Sequence, residues 1–198
     1  MNTLDAAFWN NRYLQQQTGW DLGAPSAPLT HYTEQFADKS AEVLIPGCGN
    51  AYEAAQLLQQ GFQNITLLDV SSVLTAELQQ RFRHTPIHIV NEDFFQHNGR
   101  YDLILEQTFF CALDPSLRKP YVQQMARLLK PGGQLVGVLF NRQFEGGPPF
   151  GGSKEEYVQL FTTELTVKKM ELCTNSIPAR QGTELFFIAI KSAASHLP

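Results

Sequence analysis

The chain has 198 residues, of which 43% are hydrophobic and 17% charged, enough apolar content for a packed core and too much for a disordered or fibrous chain. Its 15 Lys and Arg stand against 19 Asp and Glu, for a net charge of -4, which argues against a general grip on nucleic acid or an anionic membrane surface. No apolar run reaches the ~18 residues that a membrane span requires.

Residues 1 to 9 lack a basic start followed by an apolar core, so no signal peptide is read and a cytoplasmic protein is expected. Residues 1 to about 40 carry Trp9, Tyr13 and Trp20 in helical stretches ahead of the first strand, and are expected to form an N-terminal lid. Seven short runs rich in Val, Ile, Leu and Phe, bounded by Gly, Pro or Asn, then read as strands: residues 42–45, 65–68, 87–90, 102–105, 134–140, 165–172 and 184–190. Helical patterns lie between them. Residues 52–60 form one that stops at Gly61, and residues 73–83 form a second. A third covers 117–129, with Leu117, Tyr121, Met125, Leu128 and Leu129 along one face, entered at Asp114-Pro115 and ended by Pro131-Gly132-Gly133. Residues 141–150 form a Gly/Pro-rich loop. Strand and helix in alternation predict a mostly parallel sheet covered on both faces. The short gap at 173–183 predicts that the last two strands make an antiparallel hairpin at one edge. No repeat or linker divides the chain, so residues 1–198 are expected to form a single domain.

The first strand and turn read Val43-Leu44-Ile45-Pro46-Gly47-Cys48-Gly49-Asn50 and lead into a helix. Glycines at Gly47 and Gly49, around Cys48, let backbone approach a ligand, and the helix start offers free N–H groups. About twenty residues on, the second strand ends in Asp69-Val70, where an acid can accept both hydroxyls of a ribose. Turn and acid together predict an adenosine-containing cofactor. A dinucleotide would want a third glycine near position 52, where this chain has Tyr52, so S-adenosylmethionine fits better than NAD or FAD. After the third strand, Asp93 could accept from an adenine amino group while Phe94 packs on the ring. After the fourth, Glu106-Gln107-Thr108-Phe109-Phe110-Cys111 should face the amino-acid part of the cofactor and the reacting centre. Cys111 has no base placed beside it and reads as a packed or cofactor-lining thiol. The three cysteines, Cys48, Cys111 and Cys173, make neither a zinc cluster nor an even disulfide framework, so no metal is expected. His31, His84, His88, His97 and His196 show no ligand spacing.

These segments resemble the thiopurine S-methyltransferase-like family, most of all its plant-type branch of halide and thiol methyltransferases. The resemblance is carried in order by Trp9, Tyr13 and Trp20-Asp21-Leu22-Gly23, by Leu44-Ile45-Pro46-Gly47-Cys48-Gly49 with Glu53, and by Leu68-Asp69-Val70-Ser71 and Glu92-Asp93. It continues through Tyr101-Asp102-Leu103-Ile104, Phe109-Phe110-Cys111-Ala112, Leu128-Leu129-Lys130-Pro131-Gly132-Gly133 and Gly146-Gly147-Pro148-Pro149-Phe150. It implies a seven-stranded, Rossmann-like class I methyltransferase fold binding S-adenosylmethionine, with cofactor contact at Trp9, Tyr13, Trp20, Gly47, Asp69, Asp93 and Glu106. The usual methyltransferase acid two residues before the first glycine is replaced by Ile45, and the family shows the same loss with an acid at the position of Glu53. Plant relatives place a tyrosine where this chain has Phe150, which bears on the acceptor.

Gly147-Pro148-Pro149-Phe150 superficially resembles the motif of adenine and glutamine N-methyltransferases, but a glycine stands where that motif needs an amide or acid. The expected activity is methyl transfer from S-adenosylmethionine, leaving S-adenosylhomocysteine, to a small thiol, bisulfide or halide. Phe109, Phe110 and Phe150 would position the acceptor at an apolar mouth with no general base. A monomer is expected. The alternative is a non-catalytic module that binds the cofactor as a sensor or partner subunit.

Overall fold

The computed structural model describes residues 4–193, so His196 lies outside the described residues. Two helices come first, α1 (Ala6–Leu14) and α2 (Ala27–Gln35). Then follow β1 (Glu42–Pro46), α3 (Tyr52–Gln59), β2 (Asn64–Asp69), α4 (Ser72–Arg81), β3 (His88–Asn91) and β4 (Tyr101–Gln107). The second half holds α5 (Arg118–Leu128), β5 (Leu129–Phe140), α6 (Lys154–Phe161), β6 (Thr166–Leu172) and β7 (Glu184–Ile190). All seven strands join one sheet in the order β3-β2-β1-β4-β5-β7-β6. β1 pairs in parallel with β2 and β4, β2 with β3, and β4 with β5, while β7 runs antiparallel to both β5 and β6. The fold is the expected α/β architecture, with antiparallel strands at the C-terminal end. Within that pair the last strand is the inner one. Leu185, Phe187 and Ala189 of β7 are fully buried, whereas β6 carries exposed Lys169 and Glu171 and suits an edge.

Strand alternation splits the core into two layers. Val43, Ile45, Leu67, Leu103 and Leu105 pack with Leu29 of α2, Leu57 of α3 and Leu74 of α4. Leu44, Leu68 and Ile104 face the other way, onto Tyr121 and Met125 of α5 and Tyr157 and Phe161 of α6. Helix α6 was not read from the sequence, although Ser153 begins it with a side chain that accepts the Glu156 N–H at 3.3 Å. The third expected helix also stops a residue early. Leu129 is already paired with Tyr101, and the strand passes so close to β4 that a Cβ on Gly133 would lie 2.9 Å from the Tyr101 carbonyl oxygen. From β1 the chain winds outward through β2 and β3, and from β4 the other way through β5. The carboxyl ends of the adjacent strands β1 and β4 therefore frame a crevice where the winding reverses, the usual ligand position in such sheets.

Candidate cofactor and methyl-transfer site

β1 enters the crevice at the Gly47-Cys48-Gly49 turn. Gly47 has φ +56°, and a Cβ there would lie 2.3 Å from Cδ2 of Phe109, so the turn after β4 lays a ring directly on the turn after β1. Only glycine admits both the conformation and the approach. The Cys48 N–H donates to the Leu68 carbonyl at 3.3 Å and ties this turn to the end of β2. There Asp69 is 9% exposed, and its Oδ1 accepts the Ser71 N–H at 2.9 Å, the one hydrogen bond of good geometry to this carboxylate among the described residues, with weaker backbone contacts from Gly49 and Val70. Burial pushes its pKa up to about 6 against those contacts, and among the described residues no cation offsets the burial.

At the end of β4, Glu106 is fully buried. Its Oε1 accepts the Phe109 and Phe110 N–H groups at 3.0 and 3.1 Å, and its Oε2 accepts the Tyr121 hydroxyl at 2.7 Å. Burial raises its pKa to about 7 against those bonds. The resemblance assigned Glu106 to cofactor contact. In this conformation it presents no surface to a ligand and instead staples the turn that carries Phe109. Its neighbour differs: Gln107 Oε1 is buried with no hydrogen-bond partner among the described residues. Phe109 remains half-buried, against Phe94 and Tyr121. Phe110 is 1% exposed and packs on Tyr121, Tyr157 and Phe161, which places it in the core rather than at the mouth. The Cys111 thiol donates to the Thr108 carbonyl at 3.3 Å, and burial pushes its pKa up to about 12. The Phe150 N–H donates to the Cys111 carbonyl at 2.7 Å, which draws the loop after β5 onto this turn.

The N-terminal segment closes over the same edge. Trp20 meets Trp9 edge-on at 5.5 Å and Tyr13 edge-on at 5.7 Å. A Cβ on Gly49 would lie 4.0 Å from the Tyr13 hydroxyl, so that ring reaches the glycine turn, and the phenol is pushed well above its ordinary pKa, by burial first and then by the Asp69 charge. Asp21 fastens the segment by accepting from the side chains of Asn50 and Tyr52, the latter at 3.2 Å. Glu53 Oε1 accepts the Ser26 N–H at 2.9 Å, so this acid holds the segment down. Its pKa is raised by burial. Beyond β3, Asp93 is exposed and caps the Phe95 N–H at 2.9 Å, while Phe94 is 5% exposed and turned inward. His97 is a structural group, buried between Glu92 and the Tyr101 hydroxyl. One group was not anticipated. Arg180 comes from the β6–β7 connection. Its Nη1 pairs with Glu184 at 3.3 Å, its Nη2 donates to the Trp20 carbonyl at 3.4 Å, its guanidinium lies 5.2 Å from the Phe140 ring centre, and its charge acts on Cys111. No spacing in the sequence links it to residues so far away along the chain. Among the described residues no cluster of His, Cys, Asp or Glu could hold a metal, and no helix is long and apolar enough to cross a membrane.

The family model described as thiopurine S-methyltransferase matches residues 4–185. The chain belongs to the thiopurine S-methyltransferase family. It is a methyltransferase of that family, 33% identical over 197 residues to "Probable thiol methyltransferase 2" of Arabidopsis thaliana, an alignment covering 95% of this chain and 86% of that one. Thiocyanate methyltransferase 1 of Arabidopsis thaliana is 25% identical over 190 residues, covering 92% of this chain and 83% of its own length. The crystal structure of the Burkholderia thailandensis 1,6-didemethyltoxoflavin-N1-methyltransferase, with bound S-adenosylhomocysteine, superposes with a TM-score of 0.75 at 19% identity, covering 94% of this chain and 87% of that one. That likeness concerns the fold.

Proposed function

We propose that this methyltransferase takes its methyl group from S-adenosylmethionine and gives it to a small soft nucleophile, a thiol, bisulfide or halide. The observation that carries the reading is Asp69, a buried carboxylate beside the Gly47–Gly49 turn that has no cation beside it among the described residues and whose one well-formed hydrogen bond, from the Ser71 N–H to Oδ1, leaves lone pairs for the two hydroxyl donors of a ribose. The unpartnered Gln107 Oε1 fits the same group, because it needs a donor of the kind the cofactor's amino-acid end carries. Asp93 stands exposed just after β3, on the side expected for the adenine, whereas Phe94, expected to pack on that ring, is turned inward. When bound, the cofactor supplies a methyl group on a sulfonium, already activated for transfer.

The chain's task is then to orient and to exclude water. Trp9, Tyr13 and Trp20 form the lid, and aromatic faces can favour a sulfonium cation by ~0.5–2 kcal/mol each. Phe109 and Phe150 shape the acceptor side. Among the described residues none there is suited to take a proton at neutral pH: Cys111 and Tyr13 are pushed upward, and Glu106 spends its oxygens on the turn. Arg180, although paired with Glu184, is a cation whose charge reaches Cys111, and an acceptor that arrives as an anion needs no base. Relatives named for thiol and thiocyanate methylation support a sulfur acceptor.

The test is to incubate the protein with S-adenosylmethionine and, separately, bisulfide, thiocyanate, iodide and a series of aryl and alkyl thiols, and to measure S-adenosylhomocysteine formed. Turnover should rise with pH through each thiol's own pKa. Preferential O- or N-methylation, or one pH profile shared by thiols of different pKa, would count against the acceptor class. Tight binding with no turnover on any acceptor would instead favour a sensor.

A further inference from the structure

Helix α1 buries no residue of its own, so a few contacts fix it to the body of the protein. Three of them come from one side chain. Asn10 Oδ1 accepts the Ser71 hydroxyl at 2.7 Å and the Val73 N–H at 3.2 Å, and Asn10 Nδ2 donates to Ser72 Oγ at 3.3 Å. Ser71 is itself buried and begins α4, where its Oγ accepts the Leu74 N–H at 3.2 Å. Its own N–H goes to Asp69 Oδ1 at 2.9 Å. A single buried serine therefore joins the lid helix to the carboxylate that the cofactor reading places on the ribose. On α1, Trp9 precedes Asn10 and Tyr13 lies one turn after it, so the rotation of Asn10 onto α4 also sets where both aromatic rings fall.

We infer that Asn10 is a positioning residue for cofactor retention, acting through Ser71 to hold α1 closed beside Asp69. The inference rests on the proposed cofactor site. It concerns how long the cofactor stays bound, and assigns Asn10 no contact with the reacting atoms. Losing three hydrogen bonds at one partly buried point should open the lid without unfolding the sheet.

The chain's two tryptophans, Trp9 and Trp20, both sit in the lid, so intrinsic fluorescence reports its state. The experiment follows release of S-adenosylhomocysteine by stopped-flow fluorescence from the full-length wild type, Asn10→Ala and Arg12→Ala. Arg12 lies on the same helix but bonds Gln17, at 3.2 Å, and serves as the control. Release from Asn10→Ala should be at least about tenfold faster, the scale of one net hydrogen bond of the three removed. Acrylamide quenching of the ligand-free variant should increase while its thermal midpoint stays that of the wild type. Arg12→Ala should behave as wild type. A wild-type release rate in Asn10→Ala, or equal acceleration in both variants, overturns the inference. If calorimetry shows that the wild type itself does not bind S-adenosylhomocysteine, the cofactor reading has failed and the inference falls with it.

Discussion

β2 and β4 each run to a buried carboxylate at the carboxyl edge of the sheet, and burial pushes both upward in pKa, Asp69 to about 6 and Glu106 to about 7. Their surroundings part them. Glu106 receives two backbone N–H groups and a tyrosine hydroxyl from its own chain and has no exposed surface. Asp69 receives one well-formed hydrogen bond, from the Ser71 N–H, keeps a small exposed edge, and sits between the glycine turn and the N-terminal aromatic residues. A raised pKa alone does not mark a binding residue. The accounting of donors does: a saturated carboxylate holds the fold, and one with lone pairs to spare facing a crevice holds a ligand.

The same substitution at the two sites should therefore cost different things. Asp69→Ala should weaken S-adenosylhomocysteine binding by ~2–4 kcal/mol, the scale of two hydrogen bonds to a charged group, with a smaller loss of stability, ~1 kcal/mol, because it leaves the single buried Ser71 N–H unpaired. Glu106→Ala should lower folding stability by ~2–4 kcal/mol in denaturant melts, because it leaves buried donors unpaired around a cavity. Its effect on binding should be smaller and act through a looser Phe109. If both variants lose binding equally while keeping full stability, the distinction fails.

Protonation sharpens the same contrast. Both acids have folded pKa values raised above their ordinary 3.8 and 4.5, so the stability each contributes is present in acid and lost as pH rises through about 6 for Asp69 and about 7 for Glu106. Thermal melts of the ligand-free protein across this range should show a decline, and Asp69→Asn should flatten its lower part. Ligand binding should have the opposite slope. Ionised Asp69 is the better acceptor, so affinity should fall toward tenfold per unit as pH drops below about 6. The smallest expected effect is at the acceptor side, where Phe150→Tyr should shift the ratio of halide to thiol turnover by a few-fold and leave S-adenosylhomocysteine affinity unchanged. The ratio is read in competition assays.

Periodic segments made the parallel part of the sheet legible in the sequence, since Ile65 to Leu68 or Leu103 to Leu105 have no other way to bury both faces. Helix α6 was not read because the loop before it is full of Gly and Pro, although Ser153 and Glu156 carried a capping signal. Pairing order at the C-terminal edge depends on which strand is apolar on both faces, a property that a gap length does not contain. At the site, the Gly47 turn and Asp69 could be located from strand and helix rhythm alone. The hydrogen-bond partners of Glu106, the inward turn of Phe110 and the arrival of Arg180 depend on long-range packing, which one-dimensional spacing does not encode.

The central claim is that Asp69 holds the ribose of S-adenosylmethionine. Calorimetric titration of S-adenosylhomocysteine into the wild type and Asp69→Ala at pH 8 tests it most directly, with NAD as the comparison ligand. The account predicts saturable binding to the wild type, a loss of ~2–4 kcal/mol in the variant, and no heat from NAD. Equal affinity in the two proteins, or NAD binding in place of S-adenosylhomocysteine, would contradict it.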